Sequence, residues 1–141
     1  MTTVFSRIIA GELPARFVWS DEHAVGFLSI NPVGPGHTLV VSRLEVDQWT
    51  DAPPALVAHL TNVAHAVGVA ISAVWAPPRL GMMVAGFEVP HLHLHVFGAS
   101  SMAEFDFANA ARTVDPAEQD KHAAALRAAL RARGHRAFVP S

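Results

Sequence analysis

The stretch Pro90-His91-Leu92-His93-Leu94-His95-Val96-Phe97 decides how this chain is read. Polar and apolar residues alternate through it, which is the period of a half-buried β-strand. Successive side chains on a strand point to opposite faces, so Leu92, Leu94 and Val96 fall on one side. His91, His93 and His95 fall on the other. Neighbouring histidines in such a row stand about 6.6 Å apart along the strand. Three imidazoles in phase, each titrating near neutral pH, exceed what a core or a wet strand edge requires. The row is read as a site.

Working outward, a strand around Leu80–Val84 leads through Gly86 into the histidine strand, which predicts an antiparallel hairpin. Upstream, Leu56, Leu60, Val63, Val67, Ile71 and Val74 recur at three- and four-residue steps, the stripe of an amphipathic helix. Thr50 or Asp51, followed by Pro53 and Pro54, marks its start, and Pro77 and Pro78 stop it. Such a helix can cover the apolar face of the sheet. Further upstream, Arg16–Ser20 and Ala24–Ile30 read as a hairpin around Asp21-Glu22-His23, and Val4–Ala10 as a short helix closed by Gly11 and Pro14. The turn-rich Asn31–Gly36 delivers His37 to the start of a third strand, Thr38–Ser42. After Gly98 the chain turns irregular, with Phe105 and Phe107 as anchors. A last helix is capped by Asp115 with Glu118 and runs to about Arg133, before Gly134.

The chain has 141 residues, 51% hydrophobic and 16% charged, which suits one packed domain rather than a disordered segment. The net charge of −2 and the absence of a dense basic stretch argue against nucleic acid as a partner. With no cysteine there is no disulfide framework, thiol chemistry or Cys-type zinc site. The N-terminus lacks a secretory pattern, and the most apolar run, Val63 to Ala76, contains His65 and is too short to span a bilayer. A cytoplasmic protein without membrane attachment is expected.

Three readings of the row compete. It could be the wet face of an edge strand, but Thr or Lys would serve that better. It could hold a metal, because histidines at i and i+2 can share one zinc or copper ion. His91 and His95 would then be about 13 Å apart, so a third ligand would have to come from His37 or elsewhere. Or it could be nucleophilic: a neutral imidazole attacks phosphorus well and leaves well, while its neighbours orient it and handle protons and charge. The pattern suits this division of labour best. His59 and His65, six apart on the helix, share no face, and neither they nor His23, His122 and His135 are assigned chemistry.

The His-x-His-x-His-Val row resembles the signature of the histidine triad (HIT) family of nucleotide hydrolases and transferases. The segments Val4–Pro14, Ala24–Pro32 and Gly36–Val41 are similar to that family too, so the resemblance runs from about Thr3 to Gly98. It implies an α+β domain over residues 1–111, a five-stranded antiparallel sheet with one long covering helix, usually in a homodimer. Residues 112–141 would add a C-terminal helix and tail packed on the same domain.

The resemblance further implies a cofactor-free, metal-independent mechanism. His93 would attack the α-phosphorus of a nucleoside monophosphate ester or amide. His91 and His95 would flank the phosphate, and His37 would support the triad. A purine nucleotide or its conjugate would be the partner, its base in an apolar pocket of Val4, Phe5, Ile8, Phe27 and Ile30, with Ser29, Asn31 and Phe87 also at the nucleotide. The competing functions are a non-catalytic nucleotide-binding or regulatory protein of this fold, and a metal-dependent hydrolase.

Departures from the family pattern fall on the ligand side. Ser29 stands where an acid usually holds the ribose hydroxyls, and a serine supplies no second carboxylate oxygen. Gly86-Phe87-Glu88-Val89 replaces a Gly-Gln-x-Val run, and the phenyl ring of Phe87 cannot donate a hydrogen bond. The turn usual upstream is shortened to Gly81-Met82-Met83-Val84-Ala85. Thr3 and Ser6 stand where some members carry zinc-site cysteines, so no structural metal is expected. These changes predict retained chemistry with altered substrate contacts. The Phe105–Asn109 segment, or the helix after it, is expected near the site.

Overall fold

The structure, a computed structural model, describes residues 2–141; Met1, which opens the 1–111 segment, lies outside the described residues. In chain order the principal elements are α1 (Val4–Ile9), β1 (Phe17–Ser20), β2 (Ala24–Leu28), β3 (Thr38–Ser42), α2 (Pro54–Trp75), β4 (Arg79–Met83), β5 (His93–Ala99) and α3 (Pro116–Leu130). The five strands form one antiparallel sheet in the order β1-β2-β3-β5-β4. This is the α+β architecture expected from the sequence.

The β1–β2 turn is closed by Asp21, whose carboxylate accepts the backbone N–H groups of His23 and Ala24. Between β2 and β3 the Pro- and Gly-rich loop carries His37 to the sheet. Gly36 takes a φ of +79° there, and a Cβ at that position would lie 2.4 Å from the Trp75 ring, so only glycine fits. Register then places Val41 opposite His93 and Leu39 opposite His95.

The α2 helix begins later than its cap signal suggested. Trp49–Asp51 forms a separate 3₁₀ turn, and the residue before the helix is Pro53, which makes no side-chain cap. Prolines at the start suit the first turn, whose N–H groups have no partner inside the helix anyway. At 22 residues, with a mean hydropathy of 1.5 over an 18-residue stretch, α2 is longer than the apolar run read from the sequence and meets the length and composition of a membrane span. Its stripe is spent on the sheet. Leu60, Val63, Val67 and Ile71 pack with Leu92, Leu94 and Val96, and Leu126 and Leu130 of α3 join the same core. Each fully buried Leu or Ile contributes roughly 1.5–3 kcal/mol. Leu56 is only partly buried, and Val74 faces outward.

The α3 helix starts at the predicted cap, with Asp115 accepting the Ala117 N–H. It ends at Leu130, short of Arg133, because the chain then widens into a π turn that contains Gly134 at φ 94°.

The reading of the histidine strand as half-buried is corrected by the fold. β5 opens at His93, with His91 just before it, and both faces of this stretch are covered. His91 is 0% and His93 6% exposed. A second apolar cluster of Phe5, Val25, Phe27, Leu39 and Val41 lies on the histidine side, capped by α1. Alternation in sequence reports which residues are apolar. It does not report what returns to cover the polar face.

Candidate active site

Each histidine of the row is fixed by a different hydrogen bond, and the partners assign the ring protons. His93 Nδ1 lies 2.6 Å from the backbone carbonyl of His91. A carbonyl only accepts, so Nδ1 carries the proton and Nε2 of the neutral ring keeps a free lone pair. His91 Nε2 lies 2.7 Å from the Ser42 carbonyl and donates to it, leaving Nδ1 to accept from the Thr3 hydroxyl at 2.6 Å. His37 Nδ1 accepts the Val33 N–H at 3.1 Å, so its Nε2–H donates to His95 Nδ1 at 3.0 Å. The remaining proton of His95 then sits on Nε2.

Burial favours the uncharged form of His37, His93 and His95. His37 is pushed down to about 4 by burial, and His95 to about 3 by burial first, then by the charges that His93 and His37 would carry. His93 is also lowered, chiefly by burial, with the bond to the His91 carbonyl acting against the shift. A neutral His93 with its Nε2 lone pair free has the form of a nucleophile.

Aromatic rings flank the row on both sides. The Phe5 ring meets His93 edge-on, with centroids 4.9 Å apart, and His91 at 5.8 Å. From the segment just after β5, Phe107 packs on His95 at 4.5 Å and on His37 at 5.6 Å, while Phe105 rests on Phe97. The Phe105–Asn109 segment therefore lies beside the site. His91 and His93 also border a cleft of about 70 Å³, with Asp47, Gln48 and Trp49 on one side and Val84, Ala85 and Gly86 on the other. Nothing in the spacing of Asp47-Gln48-Trp49 singled it out. The segment reaches the row through the chain reversal after β3.

The residues expected at the nucleotide divide. Phe5 and Phe27 are in edge contact at 5.6 Å and buried in one cluster, with Ile8 partly buried against it. Val4 is 41% and Ile30 73% exposed, so those two are no part of a closed apolar pocket. Ile30 turns outward because β2 ends at Leu28 and the chain bends there, Ser29 Oγ accepting the Asn31 N–H. The Ser29 carbonyl takes a bond from Gln119 of α3, and the Asn31 amide donates to the carbonyls of Ala111 and Arg112. Both polar groups are thus tied to the C-terminal segment. Phe87 is 99% exposed, on the loop that turns at Gly86 with φ 84°.

Thr3 and Ser6 make hydrogen bonds rather than a metal site. Thr3 Oγ accepts the Ser6 N–H as the cap of α1, and Ser6 Oγ donates to Glu45 at 2.6 Å. Two hydroxyls are poor zinc ligands, and both His91 nitrogens already have partners. Among the described residues, no group of three or more His, Cys, Asp or Glu converges as a metal site would.

Of the remaining histidines, His65 is exposed, while His59 Nε2–H donates to the Asp21 carboxylate at 2.8 Å. His122 rests edge-on against Trp75.

The model of the HIT domain matches residues 10–102. A 13.2 kDa HIT-like protein of Azospirillum brasilense is 41% identical over 101 residues, covering 67% of this chain and 83% of its own. A HIT-like protein of Methanocaldococcus jannaschii is 35% identical over 103 residues, 66% of this chain and 75% of its own. Among solved structures, a zinc-bound histidine triad family protein from Mycobacterium smegmatis superposes with a TM-score of 0.80 at 28% identity, covering 94% of this chain and 96% of that one.

Proposed function

Because this chain belongs to the HIT domain family, we propose that it is a nucleotide phosphoramidase or hydrolase acting through a covalent nucleotidyl-His93 intermediate. The observation that carries the reading is the 2.6 Å bond from His93 Nδ1–H to the His91 carbonyl, which leaves Nε2 as the attacking lone pair. Nε2 forms a bond to the α-phosphorus as the bond to the leaving group breaks. Water then cleaves the phosphorus–nitrogen bond, releasing the nucleoside monophosphate and neutral His93. His95 offers its Nε2–H, the ring N–H of the row that no backbone carbonyl takes, to the departing group. The substrate is a nucleoside monophosphate ester or amide, with a purine preferred.

A second copy of the chain is the proposed partner. Leu80, Met82 and Val84 are exposed on or beside β4, an edge strand of the sheet, and Phe87 follows on the next loop. The specific departures favour a second reading, binding without turnover: Ser29 Oγ is occupied by the Asn31 N–H, and Phe87 offers no amide. Steady-state hydrolysis of an adenosine 5′-phosphoramidate, with and without chelator, separates the cases. The proposal expects turnover that chelator leaves intact. Binding without turnover would support the second reading, and turnover abolished by chelator would support a metal-dependent hydrolase.

A further inference from the structure

We propose that Glu45 is a positioning residue for the histidine row: with Ser6 and Thr3 it forms a hydrogen-bonded latch that holds α1, and Phe5 with it, against His91 and His93. Glu45 follows β3 and is exposed. One of its oxygens accepts two bonds from the start of α1, the Thr3 N–H at 3.0 Å and the Ser6 hydroxyl at 2.6 Å. Thr3 closes the other end: its Oγ caps the helix by accepting the Ser6 N–H at 3.1 Å and lies 2.6 Å from His91 Nδ1. One carboxylate therefore ties the segment after β3 to the helix and, through Thr3, to the first histidine.

The helix needs that tie. At 6 residues α1 is far too short to be stable alone, and its first turn contains no acid. Its only buried residue is Phe5, which also forms the wall of the nucleophile at 4.9 Å. Any drift of α1 moves that wall. The hydroxyls of Thr3 and Ser6 are unsuited to hold zinc, so hydrogen bonds, not a metal, do the fastening in this chain. The Glu45 carboxyl is held below the usual carboxylate range, first by the Ser6 and Thr3 bonds, as an acceptor under this load should be.

The consequence for turnover rests on the function proposed above; the consequence for the rings does not. The test is NMR of the histidine rings in the ligand-free protein, comparing Glu45→Ala, Thr3→Val and Thr3→Ser. The His91 and His93 ring signals should shift and broaden in Glu45→Ala and Thr3→Val and return in Thr3→Ser, which restores the hydroxyl. The indole N–H of Trp19, bonded to Asp21 at 2.7 Å, should stay in place in all three and report an intact fold. With the phosphoramidate as substrate, KM in Glu45→Ala should rise about threefold to tenfold with kcat changed less than twofold. Unmoved histidine signals, failure of Thr3→Ser to restore them, or equal disturbance at Trp19 would each overturn the latch. Absence of turnover in the unaltered protein would count against the proposed function and leave the ring signals to decide the latch.

Discussion

His37 Nε2 lies 3.0 Å from His95 Nδ1, and that contact decides which nitrogen of His95 keeps its proton. The Val33 N–H fixes His37 from behind, so the order runs from backbone to His37 to His95. Loss of His37 would free His95 to carry its proton on either nitrogen, and half the molecules would present the wrong one. His37→Leu should therefore lower kcat about twofold with little change in KM, by steady-state kinetics.

The low basicity of His37, His93 and His95 gives a pH signature. His93 must be neutral to attack, and burial lowers its affinity for a proton. The acid limb of kcat/KM should accordingly lie below the ordinary imidazole range. Stability follows the same groups. His37 is lowered from 6.5 to about 4 on folding, so between those values the unfolded chain binds more protons than the folded one. Stability from His37 is complete above the unfolded value and is lost as pH falls from 6.5 toward about 4. Thermal melts should show Tm falling through that window, and His37→Leu should flatten the decline.

Gln119 of α3 ties the C-terminal segment to the site. Its amide donates to the Ser29 carbonyl at 3.0 Å, 90 residues away in sequence, in a buried setting. Gln119→Leu removes the donor and leaves that carbonyl unpaired, at a cost of about 1–3 kcal/mol in chemical denaturation. Freed from this bond, the Ser29–Asn31 bend should loosen, and the preference among nucleotide substrates should change.

How much of this was legible in the sequence depends on how local the cause is. The Leu92–Leu94–Val96 face is local: period-two alternation sends those side chains to one side, and they meet α2 as read. So are the Asp21 turn and the Asp115 cap, each a side chain bonding its own neighbours. The burial of His91 and His93 is not local, because Phe5 must return from the opposite end of the sheet to cover them. Glu45 gave no signal, since its partner Thr3 is 42 residues away and an exposed acid reads as a solvated one. Trp49 and its neighbours lacked any motif and reach the cleft only through the path of the chain. Ile30 and Phe87 were placed at the nucleotide by resemblance, and the bends after Leu28 and at Gly86 turn both to solvent.

The central claim, covalent catalysis by His93, is tested most directly by the mass of the intact protein. The protein is mixed with an adenylated amine, quenched in acid within the first turnover and weighed. A population heavier by one nucleotidyl group, absent in His93→Ala and retained in His65→Ala, is the predicted result. Turnover by the unaltered protein with no such adduct at any quench time, or an adduct that persists in His93→Ala, would contradict it.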